Sequence, residues 1–344
     1  MWAVHDHLRA PVRRDSTTRS PLAGSASAQL VAKRAQRRVL IGRNPTQLMI
    51  GEDWRDRHAQ SPTVIPSALM QLEVLCRRPA VPSRASPLLF VHGFWHGAWC
   101  WAEHFLPYFA ERGYEAHALS LRGHGESPGR ARLRWTGLRD FIADVANVAD
   151  GMDRPPILIG HSMGGFLVQK YLETHHAPGA VLLASLPPSG ALGLGLRLAR
   201  RYPGRFAQSY ATLSTQPLIA TPALVRESLF SLRLPQADLV RYHARLQDES
   251  FRIFIELLMS KVRTAAVKTP VLVLGASEDA GVNPQEVEAT AAAFQTRAEF
   301  VPDIAHDMML EPNWRSAAER IDRWLTALHA AAPHLPANIQ TADA

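Results

Sequence analysis

At 344 residues, with 47% hydrophobic and 20% charged residues, the chain can bury a large core and suits one main domain with decorations; no apolar run approaches the roughly 18 residues of a spanning helix, so no stable membrane insertion is expected. The net charge of +7 sits almost wholly in residues 1–60, with 11 Lys/Arg against 5 Asp/Glu; the other 284 residues hold 27 against 26, leaving no electrostatic footprint for nucleic acid. Two cysteines, Cys76 and Cys100, exclude a disulfide framework and a zinc site, and a reducing, cytoplasmic location is the expectation.

Residues 1–64 read as a basic extension. Arg13-Arg14, Lys33-Arg34 and Arg37-Arg38 lie among scattered Ser, Thr and Pro, without a sustained apolar period, so disorder is expected. The Arg- and Ser-rich composition resembles a transit peptide. An extended or misassigned start, with Met49 or Met70 as alternatives, is the simpler reading.

From Leu69 onward short β-like runs alternate with helical patterns, which predicts an α/β fold with a mainly parallel sheet covered on both faces. The strands are expected at Leu69–Cys76, Leu88–Val91, Tyr114–Ser120, up to Gly160, Ala180–Ala184, Val271–Leu274 and Ala298–Val301. Helices are expected over Ala98–Arg112, stopped by a left-handed Gly113, then over Leu138–Val148 and Trp314–Ala331. Between Pro187 and Val262 the alternation breaks into Leu-, Arg- and Ala-rich helical spacing punctuated by Pro203, Pro217, Pro222 and Pro235. This is too long for an ordinary connection and reads as a helical cap insertion. The blander reading is an elaboration with no role at a site. The organisation is therefore core over 65–186, cap over 187–262, core over 263–331 and a flexible tail over 332–344.

One stretch carries more chemistry than the rest. Gly160-His161-Ser162-Met163-Gly164-Gly165 follows the apolar run Pro156-Ile157-Leu158-Ile159 and precedes a helix from Phe166. Strand, Gly-flanked turn and helix is the setting that forces a serine into a strained, exposed position. A Cβ two residues before or after Ser162 would meet neighbouring backbone. The following helix supplies an N-terminal field that favours negative charge.

A serine hydroxyl is a poor nucleophile alone, so a base, an orienting acid and an oxyanion site are required. The base candidate is His306, after the last strand, and the acid candidate is Asp279, just past Val271–Leu274. Glu278 competes with Asp279, and the one-residue offset disfavours it. The order Ser, Asp, His fits groups hung from successive strand ends of an open α/β sheet. His92-Gly93-Phe94-Trp95 ends the strand Leu88–Val91, and the N–H of Phe94 with that of Met163 would receive an oxyanion. Trp95 and Phe166 are candidate substrate-binding residues.

These residues, with the turn Arg122-Gly123-His124-Gly125-Glu126-Ser127, resemble the α/β-hydrolase superfamily from about Leu69 to Leu325. The run from His92 to Trp101 is similar to its methylesterase and hydroxynitrile-lyase branch. The resemblance implies an eight-stranded, mostly parallel sheet and serine acyl transfer through an acyl-enzyme. Haloalkane dehalogenases and epoxide hydrolases carry an aspartate where Ser162 stands, and hydroxynitrile lyases carry a lysine where Asp307 stands. Ala305 departs from the glycine common in the family before the histidine.

The expectation is a serine hydrolase of carboxylic esters with an apolar acyl or aromatic group. The alternatives are carbon–carbon, thioester or amide hydrolysis or perhydrolysis on the same scaffold, and a silent ligand-binding protein. No cofactor is expected: HxHxDH, HExxH, GxGxxG and GxxxxGK[ST] patterns are absent, so neither metal nor nucleotide is implied. His161 reads as a packed or hydrogen-bonded residue rather than a second base, and His92 and His124 as turn residues that satisfy backbone groups. Oligomeric state has no signal.

Overall fold

The computed structural model describes residues 71–81 and 86–331. The basic extension, both alternative starts and the tail over 332–344 lie outside them.

In chain order the strands are β1 (Val74–Arg77), β2 (Leu88–Val91), β3 (Ala116–Leu119), β4 (Ile157–His161), β5 (Ala180–Leu183), β6 (Val271–Ala276) and β7 (Ala298–Val301). They form one sheet in the order β1-β3-β2-β4-β5-β6-β7, in which only the β1–β3 pair is antiparallel. Every residue of β2 through β6 is buried, as expected for parallel strands with helices on both faces. Their apolar runs, such as Leu88-Leu89-Phe90-Val91, have no polar alternation for the same reason.

The sheet has seven strands among the described residues, not eight. Seven β-like runs are legible in the residues themselves; the eighth rests on resemblance alone, and no further strand among the described residues supplies it.

The helices are α1 (Trp99–Ala102), α2 (Phe105–Glu111), α3 (Leu138–Asp150), α4 (Met163–Tyr171), α5 (Leu192–Arg201), α6 (Pro203–Thr212), α7 (Pro222–Leu229), α8 (Gln236–His243), α9 (Phe251–Met259), α10 (Pro284–Ala293) and α11 (Trp314–Ala331). The single helix expected over Ala98–Arg112 is broken. His104 leaves helical geometry at φ −137° and stacks on Trp314, with ring centroids 4.7 Å apart, while Glu103 receives Arg241 and Arg245. Tertiary contacts thus override local propensity there. Gly113 ends α2 at φ +87°, as its position predicts.

Five helices, α5 to α9, fill the insertion between β5 and β6. The prolines mark their starts: Pro203 and Pro222 are the first residues of α6 and α7, and Pro235 is the N-cap of α8. No helix among the described residues is long and apolar enough to cross a membrane.

Candidate active site

The turn between β4 and α4 is set by steric exclusion. Ser162 sits at φ +52°, ψ −118°, a conformation costly for a residue with a Cβ, so the surrounding packing must hold it. A Cβ on Gly160 would lie 2.5 Å from the Gly164 carbonyl oxygen, and one on Gly164 would collide with the carbonyl oxygens of Val91 and His92. The two flanking glycines therefore let β2, β4 and α4 meet at one point. Gly93 brings the next loop in: a Cβ there would be 2.9 Å from the Ser162 Cβ. The His92–Trp95 loop thus touches the turn that carries Ser162, and Met163 opens α4, where the first N–H groups have no intrahelical acceptor.

His306, in the segment after β7, meets Asp279, in the turn after β6. His306 Nδ1 lies 2.9 and 2.8 Å from Asp279 Oδ1 and Oδ2. A carboxylate only accepts, so Nδ1 carries the proton and Nε2 is left as the basic nitrogen. Asp279 is itself fixed, accepting from the N–H groups of Gly281 at 2.7 Å and Val282 at 3.0 Å. Burial acts to lower the His306 pKa, but the charge and hydrogen bond of Asp279, helped by Asp307, hold it above its ordinary value. Glu278 points elsewhere and pairs with Arg233 at 2.8 Å.

Ser162 and His306 line one cavity of about 430 Å³ without a direct hydrogen bond between them. Phe94, Trp95, Leu194, Leu198, Leu229 and Phe254 supply its apolar wall. Trp95 is thus at the cavity, with its indole N–H donating to Thr215 Oγ1 at 2.8 Å. Phe166 is not. One helical turn beyond the serine, it points into the core with no exposure and does not line the cavity.

His161 donates from Nε2 to the His306 carbonyl oxygen at 3.0 Å, and burial, followed by the neighbouring His306, pushes its pKa down to about 3. It is a neutral support beneath the site. His124 meets Glu249 at 3.1 Å, and His92 accepts from the Leu121 N–H.

Two groups are invisible in the one-dimensional reading. Asp307 is fully buried, with His96 Nε2 3.0 Å and His161 Nε2 3.8 Å from its oxygens. Its burial favours the neutral acid, but the imidazoles of His96, His161 and His306 hold its pKa below the usual carboxylate value. The second group is the α5 residues Arg197, Arg200 and Arg201 with Tyr202, the residue that ends the helix, all at the cavity. Their only sequence signal is the amphipathic run Leu192–Arg201.

Similarity to known proteins agrees with this architecture. A family model described as the alpha/beta hydrolase family matches residues 88–320. The rice protein "Probable esterase PIR7A" is 31% identical over 166 residues, covering 44% of this chain. That match spans 62% of the rice protein's length. The monoacylglycerol lipase of Mycolicibacterium smegmatis is 23% identical over 236 residues, 64% of this chain and 80% of that protein. An esterase from Exiguobacterium antarcticum superposes over 77% of this chain and 99% of its own, with a TM-score of 0.59 at 17% identity, a likeness of fold. With the sheet order, the strained serine turn and a family match across most of its length, the chain belongs to the alpha/beta hydrolase family.

Proposed function

We propose that the protein hydrolyses carboxylic esters of small molecules through an acyl-enzyme, with Ser162 as nucleophile, His306 as general base and Asp279 as its orienting acid. One observation carries this reading: a buried His306–Asp279 pair at 2.8 Å shares a cavity with a serine strained at φ +52°. The Ser162 oxygen attacks the ester carbonyl and its proton passes to His306 Nε2. The N–H groups of Phe94 and Met163 receive the developing oxyanion, and one such donor is typically worth about 3–4 kcal/mol. The tetrahedral intermediate collapses as His306 protonates the departing alkoxide. Water, deprotonated by the same nitrogen, then attacks the acyl-enzyme and releases the acid.

The lack of a Ser162–His306 hydrogen bond is compatible with this role, because such bonds often tighten only in the Michaelis complex. The five-helix insertion over 187–262 acts as the cap that closes the cavity and sets the acyl pocket, whose apolar wall suits an apolar acyl or aromatic group. The esterase and lipase names of the relatives support ester chemistry over the other reactions of this scaffold.

A fluorophosphonate probe tests the reading. Stoichiometric labelling of Ser162, lost in Ser162→Ala, together with turnover of p-nitrophenyl esters of graded chain length, is the expected result. A folded protein that neither labels nor turns over any ester would overturn it.

A further inference from the structure

We infer that Arg200 receives an anionic group at the far end of the substrate, so that the favoured ester carries a carboxylate on its apolar acyl chain. This rests on the hydrolase reading above and specifies its substrate class.

The cavity wall on α5 is built from Leu194 and Leu198, one turn apart, with Arg197 and Arg201 on the same face. Arg197 marks the end near the His306–Asp279 pair. Its guanidinium donates to the Gly281 carbonyl oxygen at 2.6 Å, and Gly281 packs beside the His306 ring. Arg200 and Arg201 lie about one turn further along, roughly 4.5–6 Å at the rise of an α-helix. A linear acyl chain running from Ser162 along α5 therefore passes Leu198 before it reaches them.

The charges do not cancel at that end. Arg197 is matched by Glu286, with contacts of 3.0 and 2.7 Å. Arg201 approaches Glu227 at 3.5 Å, and Glu227 also accepts from the Tyr202 hydroxyl at 2.7 Å. Arg200 lines the same cavity and, among the described residues, has no ion-pair or hydrogen-bond partner. One exposed guanidinium without a counter-charge, where the Arg197 and Arg201 charges beside it are already matched and the rest of the wall is largely apolar, is matched by one anion on an apolar stem. The planar fork of Arg suits a carboxylate in particular. A neutral ester would leave Arg200 paired only with water, which costs little, so neutral esters remain substrates and the carboxylate supplies preference.

The test compares p-nitrophenyl octanoate with the p-nitrophenyl half-ester of suberic acid, whose acyl chain has the same length and ends in a carboxylate. The ratio of their kcat/KM values is read for the native protein, Arg200→Gln and Arg200→Lys. The native ratio favours the half-ester, falls about tenfold in Arg200→Gln, as expected for one charge-assisted contact, and is partly kept in Arg200→Lys. An unchanged ratio in Arg200→Gln overturns the assignment while leaving the hydrolase reading intact. If no ester turns over, calorimetry decides with two methyl ketones of equal length, one carboxylate-terminated and one methyl-terminated. Weaker binding of the carboxylate ketone alone in Arg200→Gln supports the assignment, and equal binding of that ketone by native and variant protein overturns it.

Discussion

His96 Nε2 lies 3.0 Å from Asp307 Oδ2, and both side chains are buried. The alignment is not that of a hydrogen bond: neither oxygen of Asp307, nor His96 Nε2 or His161 Nδ1, forms one among the described residues. A carboxylate held this way is electrostatically committed, because its ionised form is stabilised by imidazoles rather than by water. It also adds a second negative potential at His306, beside that of Asp279.

Asp307→Asn should therefore act on both stability and catalysis. The Asp307 pKa is depressed in the folded state, so its contribution to stability is fully present above about pH 5 and is lost as pH falls through the folded value. The variant should lose on the order of 2 kcal/mol at neutral pH and show a flatter stability profile in acid. Its acidic limb of kcat/KM should move to lower pH, since His306 loses a neighbour that favours the imidazolium. Denaturant titrations and a pH–rate profile measure the two effects. An unmoved limb would mean that Asp307 is purely structural.

A second expectation follows from His306 itself. Its folded pKa is raised above about 6.5, so the charged form contributes stability that is complete below that pH and is lost as pH rises through the folded value. Catalysis needs the neutral base. Activity should therefore rise, with unit slope in log kcat/KM, over the same interval in which this stabilisation fades. Asp279→Asn should shift the limb downward and lower kcat by about 10³–10⁴, the loss typical when a triad acid can no longer hold the tautomer. A profile flat from pH 6 to 9 would remove His306 from the base role.

The order of strands and helices was largely legible because buried parallel strands leave uninterrupted apolar runs, and because Pro and Gly mark helix ends by local chemistry. The pairing of His306 with Asp279 was legible for a related reason. Residues just past the carboxyl ends of parallel strands are carried to one edge whatever the intervening loops do. Phe166 was misplaced because a residue three positions into a helix rotates away from the turn that starts it, and the pattern of apolar letters does not say which side faces a cavity. His96 and Asp307 meet across 211 positions, and Arg200 reaches the cavity from 38 positions beyond Ser162, only after folding. No local periodicity encodes such contacts.

Strain at Ser162 makes a separable prediction. At φ +52° glycine pays no Cβ penalty, whereas alanine keeps it. Ser162→Ala and Ser162→Gly should both lose fluorophosphonate labelling. The glycine variant should nevertheless be more stable than the alanine variant, by about 1 kcal/mol or more, despite its greater unfolded-state entropy. Equal or reversed stabilities would mean that the turn stores no strain.

Gly93 offers the sharpest test of the oxyanion loop. A Cβ there would stand 2.9 Å from both the Ser162 Cβ and His161 Nδ1, closer than such atoms pack, so Gly93→Ala must push the Phe94 N–H away from the serine. Losing one oxyanion donor typically costs about 10²–10³ in kcat. The variant should show that loss with a smaller change in KM, because the donor acts on charge that develops only in the transition state. It should still react with fluorophosphonate, slowly, since Ser162, His306 and Asp279 are all retained. A variant with native kcat would show that the loop yields without moving its donor, and would take Phe94 out of the oxyanion site.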